Sequence, residues 1–368
     1  MVDPQSGSPT APPSRAVARR IVRAWRDFGA ARELAHERAY LPAILDHLAE
    51  AGVPGKPPEW VERRAFAGDP TIFLVGPEDA LPIAAVRIAR GPSGRRGLAR
   101  AAAALTSVPA LLGRADAGTT AAALLPGLLA SGEVDGRAWL AEAALPGQSG
   151  RTLISDPVER AVLLRRVADE IAAIHASVAV RASVTDAQLG TWVDRRVAIV
   201  RSILGAGHHP PGHAAALDQL GSDLRSAVRG RKLSTGWIHG DLWPANVLVD
   251  QASHHLTGLV DWDSAGPDEL PLHDLLHLAL TTRRLVERRP LGELVADLLG
   301  GAAWTADDQA ALGRGAEDGD GPAVFDGLDV TTALRLYWLR AVEVNLDRRP
   351  ALARQRAWVR ANVVSVLA

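Results

Sequence analysis

Apolar residues recur at intervals of three and four near the start of the chain. The residues that follow this spacing, with arginines between them, are Val17, Ile21, Trp25 and Phe28. Such a period places apolar side chains on one face of a helix. The sequence therefore predicts an N-terminal helical segment over 15–58, which ends in a Gly/Pro-rich link. The Pro/Ser-rich tail at 1–14 is expected to be disordered.

The pattern then changes to short strand-like runs, which are predicted at 60–66, 71–75 and 82–89. The turn at 67–70 has one glycine, so an ordinary hairpin turn is favoured over a phosphate cradle. An Ala/Leu-rich helix and then a strand running into a turn are predicted at 97–113 and 139–147. The rest is mainly helical, with helices predicted at 159–177, from 271 onward, at 330–348 and at 351–367.

Bulk properties exclude several classes of protein. The 368 residues are enough for two lobes, and a net charge of −1 argues against a dedicated nucleic-acid binder. The chain has no cysteine, so disulfides and thiol chemistry are excluded. Its first ten residues lack the pattern of a signal peptide, and Pro126 and Gly127 break its apolar run at 121–130. No membrane span and a cytoplasmic location are therefore expected.

The most informative motif is His239-Gly-Asp241, followed by Asn246 and, at the end of an apolar run, by Asp261. Phosphoryl transfer in kinases needs an Asp for the acceptor hydroxyl, and an Asn and a second Asp for Mg²⁺. Both runs, 246–250 and 256–261, have strand character, and a polar loop joins them as a hairpin.

The hairpin predicts where the two metal ligands lie. If Asp250 faces Leu256, antiparallel pairing places Asn246 across from Val260. Asp261 then lies beside Asn246, so two oxygen ligands converge on one hard cation.

These residues resemble the signature of the aminoglycoside phosphotransferase-like kinases. The resemblance implies an α+β, two-lobed protein-kinase-like fold with a small β-rich N-lobe and a larger, mainly helical C-lobe. It implies an N-lobe and hinge over 59–145 and a C-lobe over 146–368. It also implies Mg²⁺ with ATP or GTP, with Asp241 as the catalytic residue and Asn246 and Asp261 as metal ligands.

The same resemblance implies roles for neighbouring residues. Backbone groups of the hinge, at Glu142 and Ala144, would bond adenine, and Asp274 would brace the catalytic loop through backbone N–H groups. His239 is expected to hydrogen-bond the loop rather than to transfer a proton. Asp263 either assists the metal, binds a cationic substrate or braces the loop.

The chain departs from the pattern at the lysine that holds the nucleotide phosphates. Arg87 stands at this position, and the only lysines, Lys56 and Lys232, lie elsewhere. The following helix has no acid to replace the usual glutamate. Either Arg87 grips the phosphates, helped by an arginine such as Arg90, or the chain is a pseudokinase scaffold. Retention of Asp241, Asn246 and Asp261 favours activity.

Two further hypotheses concern ligands. A metal hydrolase would use His239, Asp241, Asp261, His273, Asp274 and His277, but no Glu stands beside His273 to act as a base. The helix at 330–348 is a candidate wall of an acceptor pocket through Tyr337, Trp338, Arg340 and Glu343.

The expected acceptor is a hydroxyl of a sugar or natural product, or a peptide Ser/Thr. The acidic stretch at 316–321 looks like a loop rather than a pocket for polycationic aminoglycosides.

Overall fold

The computed structural model describes residues 34–114, 118–205, 212–313 and 325–368. The expected disordered tail, the first part of the N-terminal helical segment and the acidic stretch at 316–321 lie outside these ranges. Within them, helix α1 (Leu41–Glu50) belongs to the predicted helical segment. Its buried residues, Leu41, Ile44, Leu45 and Leu48, recur at the helical period.

Helix α1 packs on a five-stranded antiparallel sheet whose spatial order is β1-β2-β3-β5-β4. The strands are β1 (Val61–Phe66), β2 (Thr71–Gly76), β3 (Ala84–Ile88), β4 (Leu128–Val134) and β5 (Arg137–Ala143). The three strands predicted before residue 90 are confirmed. Strand β4 was not predicted. All five residues of β3 are buried, Arg87 among them.

Helices α2 (Pro92–Leu112) and α3 (Gly118–Ala123) connect β3 to β4. Helix α2 begins five residues earlier than predicted, because Pro92 fits the first turn of a helix. The turn at 67–70 packs against this start. The Asp69 carboxylate accepts hydrogen bonds from the backbone N–H groups of Arg90 (2.8 Å), Gly91 (3.3 Å) and Gly94 (3.2 Å). The turn thus caps the start of α2 through the carboxylate of Asp69. A carboxylate at this place would repel a phosphate, so the turn is not suited to hold one.

The larger lobe is mainly helical. Its helices are α4 (Pro157–Val178), α5 (Asp186–Leu189), α6 (Arg196–Gly205), α7 (Gly212–Val228), α8 (Leu272–Glu287), α9 (Leu291–Leu299), α10 (Ala306–Leu312), α11 (Val330–Arg348), α12 (Arg356–Val359) and α13 (Ser365–Leu367). The helix predicted at 351–367 is present as one run from α12 through a π-helical stretch (Arg360–Val364) to α13, and a 3₁₀ turn (Pro350–Arg354) precedes it. None of the helices in the described ranges has the length and apolarity that a bilayer crossing requires.

Two small antiparallel sheets lie on the helical lobe, in the orders β10-β9-β6 and β11-β8-β7. Their strands are β6 (Gln148–Ser149), β7 (Val180–Ser183), β8 (Lys232–Ile238), β9 (Val247–Val249), β10 (Leu256–Leu259) and β11 (Gly266–Glu269). The predicted catalytic loop follows β8, so this lobe positions it.

Helix α1 should contribute directly to the stability of the small lobe. Leu48 is fully buried in the core that α1 shares with the sheet. Leu48→Ala should lower the free energy of unfolding by about 2–5 kcal/mol, because it removes buried apolar area and leaves a cavity. Chemical denaturation measures the change. Asp46→Ala, on the exposed side of α1, is the control, and equal losses in both variants would contradict this packing.

Candidate active site

The loop from His239 to Asn246, called here the catalytic loop, begins where β8 ends. Gly240 has a φ of +80°, and an added Cβ would overlap the Ser264 carbonyl. Glycine is required there for both reasons. Arg340 donates to the carbonyls of Gly240 and Ser264, each at 2.9 Å. The close approach of these two backbone segments is thus secured by one buried side chain.

Asp274, at the start of α8, holds the beginning of the catalytic loop. Its carboxylate accepts hydrogen bonds from the backbone N–H groups of His239 and Gly240, both at 2.7 Å. His175 Nε2 lies 3.0 Å from the same carboxylate. Burial opposes ionisation, but the interactions with His175 and His239 and the bond from Gly240 lower the pKa of Asp274 to about 2. An ionised Asp274 therefore fits the bracing position that the family resemblance implies.

His239 also contributes to the shape of the loop. Its Nε2 lies 2.9 Å from the Val260 carbonyl, and its ring lies against Trp262 with the ring centres 4.6 Å apart. Burial lowers the pKa of this histidine, so it is held neutral. The side chain links the catalytic loop to the segment that carries Asp261.

Asp241 is buried, and both of its carboxylate oxygens have partners. His277 Nε2 lies 3.0 Å from Oδ1, and Arg348 Nη1 donates to Oδ2 at 2.8 Å. Burial opposes ionisation, but Arg348 and His277 hold the pKa of Asp241 well below its usual range. The carboxylate is therefore in the charged form that an acceptor for a hydroxyl proton requires.

Asn246 is tied to the same acid. Its Nδ2 donates to the Asp241 carbonyl at 2.9 Å and to Asp241 Oδ2 at 3.2 Å. The amide nitrogen is thus committed, which leaves the amide oxygen to act as a ligand. This arrangement suits a magnesium ligand, since Mg²⁺ prefers oxygen donors.

The predicted hairpin is present, with a one-residue difference at its loop end. Leu256 pairs with Val249 rather than with Asp250, and a bulge between Leu256 and Gly258 absorbs the difference. The Val260 N–H donates to the Asn246 carbonyl at 2.9 Å, so the expected alignment at that end is confirmed.

The strand predicted over 256–261 ends before Asp261, and Asp263 lies beyond it. Strand β10 ends at Leu259, Asp261 has a φ of +70°, and a 3₁₀ turn follows over Trp262–Ser264. The two acids nevertheless meet one partner, because Arg87 Nη2 lies 2.7 Å from Asp261 Oδ1 and 2.7 Å from Asp263 Oδ2. Arg87 thus contacts both acids of the C-lobe that are candidates to bind a metal.

A third acid reaches Arg87 from the neighbouring strand. Arg87 pairs with Leu140 across the sheet, and Glu142 lies two residues further along β5, on the same face. Glu142 Oε1 is 3.8 Å from Arg87 Nη1. Burial raises the pKa of Glu142 to about 7 and that of Asp263 to about 6, although Arg87 opposes both shifts. The acid that is missing from α2 is therefore supplied by β5.

Of the hinge groups predicted to bond adenine, one backbone donor is already in use. The side chain of Glu142 is buried toward Arg87, and its backbone lies inside the ladder between β3 and β4. The Ala144 N–H donates to the Ile83 carbonyl at 3.0 Å. That donor is thus already used within the sheet and is not available to a base.

Helix α11 does not form the acceptor wall that the sequence suggested. Tyr337, Trp338 and Arg340 are buried. Arg340 binds loop carbonyls, and Glu343 pairs with Arg196 at 2.9 Å. The helix supports the catalytic loop instead.

Sequence reasoning missed two of the three partners of the Asp241 carboxylate, His277 and Arg348. His277 follows Asp274 by three residues on α8, and this helical spacing is a signal that could have been used. Arg348 is 107 positions away from Asp241, and no local pattern indicates that contact.

The metal-hydrolase hypothesis finds no support in the described ranges, where no group of three or more His, Cys, Asp or Glu could hold a metal ion. His239 is bonded to a carbonyl, and His273 Nδ1 lies 3.2 Å from Glu269 Oε2. A magnesium site of Asn246 and Asp261 fits better. The Asp261 side chain is 34% exposed, and only its Oδ1 contacts Arg87.

A small β-rich lobe, a helical lobe and an Asp-Asn-Asp set between them define a kinase-like phosphotransferase fold. The chain belongs to the phosphotransferase enzyme family (APH), whose family model matches residues 86–313, more than half of the sequence.

One solved structure shares this fold at low sequence identity, and others are similar to the chain over most of its length. The gentamicin complex of APH(2")-IIa is 11% identical, with a TM-score of 0.51 over 88% of this chain and 95% of that chain. The GDP complex of aminoglycoside 2'-phosphotransferase-IIIa is 16% identical, with a TM-score of 0.48; the match covers 83% of this chain and 90% of that chain. A glucosamine kinase is 16% identical, with a TM-score of 0.47; the match covers 88% of this chain and 82% of that chain. No curated protein sequence matches the chain significantly.

His273 should make the stability of the folded protein fall in mild acid. Burial lowers its pKa to about 4, whereas an exposed histidine titrates near 6.5. Between these values the unfolded chain binds a proton that the folded protein excludes, so stability decreases as the pH falls from about 6.5 to about 4. The loss from this group should be about 3 kcal/mol.

Denaturant unfolding at several pH values tests this titration. His273→Gln should flatten the dependence by about one proton across that window. His47→Gln, at an exposed histidine on α1, should leave the slope unchanged. An unaltered slope in His273→Gln would show that His273 does not titrate in this way.

Proposed function

We propose that this protein is a kinase that transfers the γ-phosphoryl group of ATP or GTP to a hydroxyl of a small molecule. The observation that carries the proposal is the joint placement of Asp241, Asn246 and Asp261. Asn246 is bonded to Asp241 and, through its carbonyl, to the residue that precedes Asp261. Three groups that the sequence separates by up to twenty positions are thus joined by direct hydrogen bonds and by the chain itself.

Asp241 would accept a hydrogen bond from the acceptor hydroxyl and take up its proton. The low pKa of Asp241 keeps it ionised, so its main contribution is orientation of the hydroxyl. Asn246 and Asp261 would hold Mg²⁺. Bound there with nucleotide, Mg²⁺ would neutralise charge on the phosphates.

Arg87 has a defined part in this proposal. Its guanidinium has donors on several sides, so it can keep Asp263 and Glu142 while it exchanges Asp261 for a phosphate oxygen. Asp261 would then be available to Mg²⁺. Arg87 would in this way replace the lysine that the family uses, at the same position on the third strand.

A pseudokinase scaffold is the second candidate, and one observation favours it. Arg87 already neutralises Asp261, at 2.7 Å. If that ion pair persists in the presence of nucleotide, it blocks the candidate metal ligand. The two candidates therefore differ in whether nucleotide displaces Arg87 from Asp261.

Titration calorimetry with Mg·ATP and Mg·GTP separates them. A kinase should bind at least one nucleotide in a magnesium-dependent manner, and Asp261→Ala should weaken that binding at least about tenfold, because a charged ligand of the metal is lost. Asp250→Ala removes an acid from the exposed end of the same hairpin and should bind like the native protein. Absence of binding to both nucleotides would favour the scaffold.

Asp241→Asn should leave Mg·nucleotide affinity within about twofold and lower kcat by about 10²–10⁴, because the neutral amide orients the hydroxyl less well and cannot take up its proton. A coupled assay of ADP or GDP release, run with sugar and natural-product alcohols, measures kcat. Turnover that survives at the native rate would remove Asp241 from the mechanism.

A further inference from the structure

The acceptor side of Asp241 is occupied by a cation from the chain itself. Arg348 is the last residue of α11, its side chain is about one-third exposed, and its Nη1 lies 2.8 Å from Asp241 Oδ2. His277 takes the other oxygen and is itself held by the Tyr337 hydroxyl at 3.1 Å. His277 is 15% exposed against 35% for Arg348, so a hydroxyl that approaches Asp241 from solvent meets Arg348 first.

The two arginines of the site divide the acids between them. Arg87 pairs with Asp261 and Asp263, on the side proposed for metal and nucleotide. Arg348 pairs with Asp241, on the side proposed for the acceptor. Arg348 also interacts electrostatically with Asp261 and Asp263, but the carboxylate that its guanidinium contacts directly is that of Asp241, and this contact associates it with the acceptor.

A displaced Arg348 would need a new anionic partner. Its neighbour Asp347 is already paired with Arg96 and, at 3.2 Å, with Arg100. Asp263 Oδ2 is taken by Arg87 and the Asp263 carbonyl accepts from Arg100 at 2.7 Å, whereas Asp263 Oδ1 is buried and has no hydrogen-bond partner among the described residues. A partly buried guanidinium that loses its carboxylate is costly, so an anion brought in by the acceptor would stabilise the complex.

We propose that the acceptor is an alcohol with an anionic group, such as a carboxylate, close to the reacting hydroxyl, and that Arg348 binds this group. The inference rests on the proposed kinase function. In the complex the acceptor hydroxyl replaces Arg348 on Asp241, and the acceptor anion replaces Asp241 on Arg348. A cationic acceptor would meet a displaced Arg348 with no counter-ion, so amino sugars are disfavoured.

The experiment compares acceptors that share a carbon frame and differ in charge. One set is glycerate, glycerol and 2-aminopropane-1,3-diol, and the other is glucuronate, glucose and glucosamine. ADP release is measured with saturating Mg·ATP, and Mg·ATP binding is measured separately by calorimetry. The acid should have the highest kcat/KM of its set, by at least about tenfold, because a charge-assisted hydrogen bond is gained.

Arg348→Gln identifies the residue responsible. It should raise the KM for the acid at least about tenfold and abolish the preference for charge, with the KM for Mg·ATP within about twofold of native. Arg349→Gln, at the next and exposed arginine, should keep the preference. Thermal unfolding of both variants checks that the fold is intact.

The outcomes separate this inference from the function on which it rests. If neither Mg·ATP nor Mg·GTP binds, the proposed kinase function fails first, and the acceptor proposal fails with it. If one of these nucleotides binds but neither acid is phosphorylated with it, or a neutral or cationic member is preferred, the acceptor proposal alone is overturned. If Arg348→Gln raises the KM for Mg·ATP and not that for the acid, Arg348 is a phosphate ligand and the proposal is likewise wrong.

Discussion

A guanidinium buried between two lobes must be matched by acids, and Arg87 satisfies this requirement with Asp261, Asp263 and Glu142. Removing one partner of a buried ion pair costs about 3–5 kcal/mol, because the other charge is left without a partner in a medium of low polarity. Arg87 and Glu142 come from the small sheet, whereas Asp261 and Asp263 come from the large lobe. The relation between the lobes therefore depends on this cluster.

The surroundings of the cluster are adapted to it. Helix α2 passes close to Asp263 at Gly97, where an added Cβ would lie 3.3 Å from the carboxylate. A larger residue would separate the helix from the acid. Asp261, Asp263 and Glu142 of β5 supply the acids around Arg87. Helix α2 therefore carries no acid there and instead contributes Arg100, which donates to the Asp263 backbone carbonyl.

The sequence predicted those parts of the site that depend on local spacing. The hairpin between Asn246 and Asp261 follows from the strand character of the two runs. The bracing position of Asp274 follows from the resemblance to the kinase family. The sequence could not predict the contact of Arg87 with Asp261, 174 positions away, or that of Arg348 with Asp241. Such contacts are set by how the lobes and α11 pack. The same packing places Arg340 on the loop carbonyls, whereas the sequence suggested that it lines an acceptor pocket.

Arg340 connects the two backbone segments that carry the proposed chemistry. By donating to the carbonyls of Gly240 and Ser264, it fastens the segment that precedes Asp241 to the one that follows Asp261. Asp241 and Asp261 therefore lie on one platform whose segments a single side chain ties together, and we expect their spacing to change little during turnover. Opening and closing that admits substrates would then take place at the Arg87 side, where the platform meets the small sheet, so the protein would separate its moving part from its chemical part.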